Sequence, residues 1–210
     1  MTVEPFTRLT AVAAPLPRDN VDTDALFPGR FIADMDVDYH RALFGDWRWD
    51  ADGTPRPDFV LNRLPWREAR ILVAGRNFGC GSSREHAVWA LTANGVRCVV
   101  AESFGDIFAA NAVQNGLLCV PLPAREIALL TAELEAAPGM TMTVDLTEQT
   151  LTTPAGRRVS FAVDPATREA LLSGLDAIGR TMLSADAIDR FQVRDRAARP
   201  WVWRPGAGAP

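Results

Sequence analysis

Short apolar blocks alternate with amphipathic blocks along the middle of the chain. Apolar runs bounded by turn residues predict strands at residues 9–16, 70–75, 97–101 and 117–122. Apolar residues at helical spacing predict helices at residues 82–93, 104–114 and 125–137. A strand–helix rhythm of this kind predicts an α/β fold with a parallel sheet and crossover helices.

The pattern changes after Gly139. Turn signals separate short predicted strands at 142–146, 149–153 and 157–163, and closing helices are predicted at 165–173 and 185–194. We therefore expect a single domain over residues 1–195. Residues 196–210 are rich in Arg, Pro and Gly, which predicts a mobile tail, although Trp201 and Trp203 are unusual for such a tail.

Residues 18–66 have no sustained helical period and are rich in Asp, Pro, Gly and Trp. A non-periodic stretch of this length in a compact domain usually faces a substrate or a partner. The structural alternative is a surface excursion packed by its own Phe and Trp residues. The acidic residues at 19–24 either bind a cation or form a solvated turn, and their spacing falls short of a calcium-binding loop.

Charge and hydropathy exclude several classes of function. The net charge is −4 and the pI is near 5.2, which argues against nucleic-acid binding because that requires a basic face. No apolar run approaches the roughly 20 residues of a membrane span. The first residues lack the basic-then-apolar layout of a secretory signal. We therefore expect a cytoplasmic protein that binds neither nucleic acid nor membrane.

Missing residue types narrow the chemistry further. All 22 basic residues are arginine, which removes lysine Schiff bases and the lysine of a phosphate-binding P-loop. Only His40 and His86 are present, too few for a three-histidine zinc site. The cysteines at 80, 98 and 119 are far apart, so this chain is predicted to hold neither a metal nor a cofactor by itself.

The most informative segment is 75–86, which follows a predicted strand and opens a predicted helix. Gly79 and Gly81 allow a ligand to approach the main chain. The N–H groups and dipole of a helix N-terminus favour an anion, and Arg84 adds a fork of donors suited to a carboxylate. Ser82 and Ser83 place two hydroxyls at the same end. The segment therefore suits a small carboxylate with reacting groups close by.

Structural interpretations of the same residues stay open. Ser82 and Glu85 have the spacing of a capping box, in which Ser82 would only cap the helix. His86 is either a packed or hydrogen-bonded support or a base, and the support is favoured. Cys80 is either a small neighbour in the turn or, at a helix N-terminus, a thiol of lowered pKa.

Several sequence blocks, taken in order, resemble a known family. The longest block, at 77–87, is highly specific, whereas each of the others would be weak evidence alone. The chain resembles the small subunits of 3-isopropylmalate dehydratase, in the aconitase superfamily, over roughly residues 5–195. The matching blocks are 20–24, 44–48, 57–62, 77–87, 103–108, 115–118 and 174–179.

The resemblance implies a swivelling β/β/α domain like the fourth domain of aconitase. It also implies a separate large subunit that holds a four-iron, four-sulfur cluster, whose iron would bind the substrate's hydroxyl and one carboxylate as a Lewis acid. The pair would interconvert 2-isopropylmalate and 3-isopropylmalate, small dicarboxylates of leucine biosynthesis, through a dehydrated intermediate. This chain alone would have no activity.

Individual roles follow from matching positions. Ser82 matches the catalytic serine of the superfamily, which removes the proton next to a carboxylate and returns it later. Arg84 matches the arginine that binds a substrate carboxylate, and Asp24 is assigned an orienting catalytic role beside Ser82. Ser83, Gly81 and Arg30 complete the set expected to contact substrate.

Departures from the family pattern keep alternatives open. Leu26-Phe27 stands where many bacterial relatives have two aliphatic residues. The loop 30–41 is expected to recognise the substrate's side chain through Ile32, Met35, Val37 and Tyr39. The alternatives are the small subunit of a citraconate or methylmalate, dimethylmalate or homoaconitate hydratase, and a carboxylate-binding module without catalysis. Small differences in an apolar side chain give only modest discrimination, so the sequence is a poor judge between such substrates.

Overall fold

The computed structural model describes residues 3–34 and 36–203, and a seven-stranded sheet lies at its centre. All seven predicted strands are present, most of them shorter by one or two residues at the ends. The strands are β1 Arg8–Leu16, β2 Ile71–Ala74, β3 Cys98–Ala101, β4 Leu118–Pro121, β5 Thr141–Asp145, β6 Thr150–Thr152 and β7 Arg158–Ser160. Their order across the sheet is β4-β3-β2-β1-β5-β6-β7.

Strand β1 joins two halves of this sheet. Its C-terminal half pairs with β2 in parallel, with Ala13 opposite Ile71, and β3 and β4 continue the parallel half. Its N-terminal half pairs with β5 in antiparallel fashion, with Val12 opposite Thr141, and β6 and β7 continue that half. The predicted parallel sheet is therefore confirmed for β1 to β4, whereas the short strands after Gly139 form an antiparallel extension.

The helices lie in the connections between strands β1 and β5 and after strand β7. Their bounds are α1 Thr23–Leu26, α2 Tyr39–Ala42, α3 Gly45–Arg48, α4 His86–Ala93, α5 Asp106–Gln114, α6 Ala124–Ala136, α7 Pro165–Ser173, α8 Ala177–Met182 and α9 Ala185–Ala198. Short 3-10 turns lie at Gly29–Phe31, Val60–Asn62, Trp66–Glu68 and Pro200–Trp203. No helix among residues 3–34 and 36–203 is long and apolar enough to cross a membrane.

One predicted helix start differs from the structure, and the expected end of the domain falls within a helix. The helix predicted from Ser82 begins at His86, a difference larger than the usual uncertainty of helix ends. The domain boundary predicted at residue 195 falls inside α9, which ends at Ala198. The indole N–H of Trp203 donates to Asp195 at 2.8 Å, so Trp203 docks on this chain. The rest of the expected tail, 204–210, lies outside the described residues.

The parallel half of the sheet is covered on both faces. Ile71 and Val73 of β2 pack with α6, while Leu72 and Ala74 pack with α4, α5 and the region 18–66. Burial of both faces explains the continuous apolar runs of these strands. Phe27, Phe44, Phe59 and Trp66 of the irregular region all lie in this core.

Candidate active site

Two segments about sixty residues apart in sequence meet beyond the carboxyl ends of β1 and β2. The amide of Asn20 donates to the carbonyl of Arg76 at 2.9 Å, and that of Gly79 donates to Val21 at 2.7 Å. The amide of Thr23 then donates to the carbonyl of Cys80 at 2.8 Å. The chain after β1 thus runs beside the chain after β2. In open α/β sheets, this edge is where ligands bind.

The segment after β3 supports the same loop from the other side. The amide of Phe78 donates to the carbonyl of Ser103 at 2.9 Å, and the amide of Gly105 donates back to Phe78 at 2.9 Å. The hydroxyl of Ser103 accepts from the amide of Asn77 at 2.8 Å. Three of the sequence blocks that carry the resemblance, at 20–24, 77–87 and 103–108, are therefore neighbours in space.

Close packing explains the glycine at position 79. Its φ is +73°, which L side chains rarely adopt, and a Cβ there would lie 2.1 Å from Cγ of Phe108. Gly105 is constrained in the same place, because a Cβ on it would lie 2.6 Å from the carbonyl oxygen of Gly79. The turn before Ser82 is therefore shaped by contacts with the segment after β3.

Arg84 and Asp24 form an ion pair between their side chains. The Arg84 side chain is 20% exposed and that of Asp24 is 58% exposed. A Cβ on Gly29 would lie 3.5 Å from Oδ1 of Asp24, so the turn at Gly29 also borders this pair. The structure thus brings together two predicted site residues. The carboxylate of Asp24 pairs with this arginine, and among residues 3–34 and 36–203 it makes no hydrogen bond to Ser82.

Ser82 and Ser83 are exposed, as is Gly81. The carbonyl of Ser82 accepts a hydrogen bond from the hydroxyl of Thr23 at 3.1 Å. Within residues 3–34 and 36–203, neither serine hydroxyl makes a hydrogen bond. Both are therefore free to meet a ligand.

The capping-box interpretation of Ser82 is wrong. Glu85 occupies the cap position of α4 without a side-chain bond to the helix, and its Oε1 accepts from Nδ2 of Asn115 at 3.0 Å. Ser82 lies four residues before the first residue of α4, and its carbonyl and the Arg84 side chain instead bond to residues of α1. The helix dipole, which acts within the first turn, therefore contributes less at Ser82 than the sequence indicated.

His86 packs between aromatic rings. Its ring centroid lies 5.1 Å from that of Phe27 and 4.8 Å from that of Trp89. The indole of Trp89 donates to Oδ1 of Asn115 at 3.0 Å, which ties the start of α4 to the turn after α5. These contacts agree with the supporting role favoured for His86.

The cysteines are three separate free thiols. Burial and the nearby carboxylate of Asp22 raise the pKa of Cys80, which contradicts the alternative of a thiol activated by a helix N-terminus. Burial also raises the pKa of Cys98 and of Cys119. Among the residues that the structure describes, no group of three or more His, Cys, Asp or Glu side chains is placed to hold a metal ion.

Arg30 is not brought to the Arg84–Asp24 pair. Its guanidinium pairs with Asp46 and lies 4.6 Å from the ring centroid of Phe31. It lines a cavity of about 460 Å³ that also includes Arg41 and Arg56 among its walls.

The side chains of the expected specificity loop, 30–41, differ in how far they are buried. Tyr39 packs against Phe27 and Trp89, at ring centroid distances of 5.8 and 6.3 Å. Val37 is partly buried against the same core, whereas Ile32 is 47% exposed. Met35 lies outside the described residues. Of the three described positions, Ile32 carries the exposed apolar side chain.

Two residues that contact the loop or the start of α4 were not singled out from the sequence. Thr23 lies inside the acidic block, and threonine carries no distinctive spacing signal. Asn115 was noted only as part of the matching block 115–118, yet its side-chain amide bonds to Glu85 and Trp89. A larger cavity, of about 680 Å³, lies apart from Ser82 and is lined by residues such as Arg18 and Trp66.

Comparisons with known proteins cover nearly the whole chain. Family models match the aconitase C-terminal domain at residues 3–125, LeuD_N at 128–165 and, at 178–202, the C-terminal domain of the 3-isopropylmalate dehydratase small subunit. The 3-isopropylmalate dehydratase small subunit of Ruegeria pomeroyi is 45% identical, covering 95% of this chain and 100% of its own length. That of Phenylobacterium zucineum is 47% identical, with 95% and 98% covered.

A solved structure supports the same assignment. The crystal structure of 3-isopropylmalate dehydratase from Methanocaldococcus jannaschii superposes with a TM-score of 0.63 at 25% sequence identity. The match covers 86% of this chain and 99% of that one. The swivel-type α/β fold expected from the resemblance is thereby confirmed. The chain belongs to the family of 3-isopropylmalate dehydratase small subunits, within the aconitase superfamily.

Proposed function

We propose that this chain is the small subunit of a hydro-lyase that interconverts 2-isopropylmalate and 3-isopropylmalate in the cytoplasm, within leucine biosynthesis. The observation that carries the proposal is the loop 81–84, which presents two free serine hydroxyls beside a carboxylate-paired arginine. The names of the relatives support this substrate. They do not favour the citraconate, dimethylmalate or homoaconitate alternatives, or a module without catalysis.

Arg84 is assigned to a carboxylate of the substrate. A guanidinium offers parallel N–H donors that match the two oxygens of a carboxylate. Asp24 holds one edge of this guanidinium and fixes its direction. The exposed remainder is available to an incoming dicarboxylate, with Ser83 and Gly81 next to it. Arg30 serves this substrate only if its ion pair with Asp46 opens.

Ser82 is assigned as the base that removes the proton next to the carboxylate. A serine alkoxide does not form readily in water, so the proposal requires that water be excluded from the loop when the reaction occurs. In the chain by itself, Ser82 is exposed. This openness supports a half-site that becomes complete only when a large subunit docks. The cationic Arg84 then lowers the cost of a negative charge on Ser82 Oγ.

The iron–sulfur cluster expected for the reaction does not fit this chain. Cys98 and Cys119 lie within the sheet, and Cys80 lies in the turn before Ser82. A cluster is ordinarily held by thiolates that converge on it, which these do not. We therefore assign the cluster to the large subunit. The residues of this chain are assigned only proton transfer and carboxylate binding.

The test of this proposal is Ser82→Ala in the enzyme reconstituted with its large subunit. The kcat of dehydration, followed by ultraviolet absorbance of the unsaturated product, should fall by about 100- to 10,000-fold, which is the typical cost of losing a proton-transfer group. Assembly with the large subunit should be unchanged. Ser160→Ala, on the exposed strand β7, is the matched control and should leave kcat unaltered.

Two results would contradict the proposal. A Ser82→Ala heteromer with near-normal kcat would remove Ser82 from the chemistry. Turnover by this chain alone would refute the half-site, because the exposed loop would then suffice without a partner.

Substrate selection is assigned to the loop 30–41. Ile32 is the exposed apolar candidate there. Truncation to Ala should lower kcat/KM for isopropylmalate by about tenfold relative to a malate with a methyl side chain, since one or two apolar carbons carry that much discrimination.

A further inference from the structure

We infer that Thr23 is a positioning residue for the reaction, holding the peptide of Ser82 in place through its hydroxyl. The inference rests on the proposed role of Ser82 and extends it to a residue that contacts neither substrate nor cofactor. Thr23 is the first residue of α1 and only 3% of its surface is exposed.

The contact itself is specific. Oγ1 of Thr23 donates to the carbonyl oxygen of Ser82 at 3.1 Å, and the amide of Thr23 donates to the carbonyl of Cys80 at 2.8 Å. One residue therefore fixes two carbonyls that flank Gly81. A glycine with φ of +95° is the most easily rotated point of that loop, so holding both sides restricts it.

The start of α1 is itself held rigidly. Oδ1 of Asp22 accepts from the amide of Ala25 at 2.7 Å and caps the helix. Thr23 is therefore anchored before it reaches across to the loop. A short capped helix with a buried threonine gives the loop a fixed support, whereas the loop has no helical hydrogen bonds of its own at Ser82.

Neighbouring residues of α1 hold different parts of the loop. Thr23 holds the Ser82 peptide, and Asp24 holds the Arg84 guanidinium. If Ser82 transfers the proton and Arg84 binds the carboxylate, loss of the first contact should lower kcat and loss of the second should raise KM. A role limited to stability would produce neither pattern.

The experiment compares Thr23→Val and Thr23→Ser in the reconstituted heteromer. Thr23→Val keeps the shape but removes the hydroxyl, and kcat should fall by about 10- to 100-fold with KM within about twofold, since a small misplacement of a reacting group has effects of that size. Thr23→Ser keeps the donor and should restore kcat to within about threefold of the parent. Asp24→Asn should instead raise KM with a smaller change in kcat.

Thr153→Val is the matched control. Thr153 is also 3% exposed, and its hydroxyl accepts from the amide of Arg157 at 3.3 Å in the turn between β6 and β7, far along the chain from Ser82. This variant should lose thermal stability without any change in kcat. The comparison separates a buried hydroxyl that matters for folding from one that positions Ser82.

A Thr23→Val enzyme with kcat within about twofold of the parent would overturn the inference, as would a Thr23→Ser enzyme as slow as Thr23→Val. If Thr23→Val yields no assembled enzyme, Thr23→Cys replaces it, because a thiol is a weaker donor of similar size. Its kcat should then lie clearly below that of Thr23→Ser, and equal values would overturn the inference. Normal activity of Ser82→Ala would defeat the proposed function, whereas an inactive Ser82→Ala beside a normal Thr23→Val would defeat only the role of Thr23.

Discussion

The loop that carries Ser82 and the segment that carries Trp203 are both largely exposed. They differ in how far apart in sequence the residues that hold them are. The loop is held by Thr23 and by the pairing of Asp24 with Arg84, residues 59 and 60 positions apart. Trp203 is held by Asp195, eight positions away, and Arg199 pairs with the same carboxylate four positions away. Long-range contacts make the loop depend on the whole fold, whereas the C-terminal contacts stay local.

Helix α9 shows the same local character in its burial. Of its residues, Asp195 is the buried one, and its apolar Phe191 and Val193 are 51% and 69% exposed. Helices usually gain most of their stability by packing an apolar face. Changes in α9 should therefore leave the loop at Ser82 unaffected, whereas changes far from Ser82 in sequence, such as at Phe108, should reach it.

The largest expected effect is that of Gly79→Ala. The variant forces a φ of +73° on a residue with a side chain and drives its Cβ into the ring of Phe108. Left-handed strain and overpacking together should cost about 2–5 kcal/mol of unfolding free energy, measured by urea denaturation.

Gly156→Ala separates the two causes. Gly156 has a φ of +80° but no atom within 4 Å of its Cβ position, so only the strain remains. It should cost about 1–2 kcal/mol. Equal losses for the two variants would show that long-range packing does not shape the loop.

A smaller effect is expected for Arg84→Lys. A lysine keeps the charge but cannot bind Asp24 and a carboxylate with the planar fork of arginine. In the reconstituted heteromer, KM should rise by about 10- to 100-fold, and kcat should change less. Arg76→Lys is the control within the same segment. Arg76 pairs with Asp19, and both side chains are more than half exposed, so its KM should not move.

The smallest effect is expected at the C-terminal contact. Hydrogen bonds from Trp203 and then Arg199 lower the pKa of Asp195. The contribution of Asp195 to stability is therefore present above its unfolded pKa of about 3.9 and is lost as pH falls through the lower folded value. Trp203→Phe removes the hydrogen bond that has the larger effect on this pKa.

Hydrogen exchange provides the measurement for Trp203→Phe. Amides in the last turn of α9 should exchange faster near neutral pH, and the difference from the parent should vanish at acidic pH. The kcat of the heteromer should be unchanged. A loss of kcat in this variant would contradict the local character of the C-terminal segment.

Much of the fold was predictable from apolar patterning. The strands β2 and β3 were recognised because burial on both faces leaves continuous apolar runs. Helix α8 was missed, although Asp176 caps it by accepting from the amide of Gly179 at 2.7 Å, because a glycine inside so short a helix weakens its pattern. The short helices of 18–66 were missed because one turn has no period to detect.

The sequence by itself indicated Asp24, Ser82 and Arg84 as candidate site residues, because they stand in blocks whose order and spacing identify the family. It also indicated that this chain cannot group its thiols around a metal. Local signals misplaced the start of α4, since a serine followed by a glutamate three residues later fits a helix cap in any context. Only the tertiary structure decided that Ser82 stands outside the helix, because the hydroxyl of Thr23 and the carboxylate of Asp24 reach this loop across some sixty residues of intervening chain.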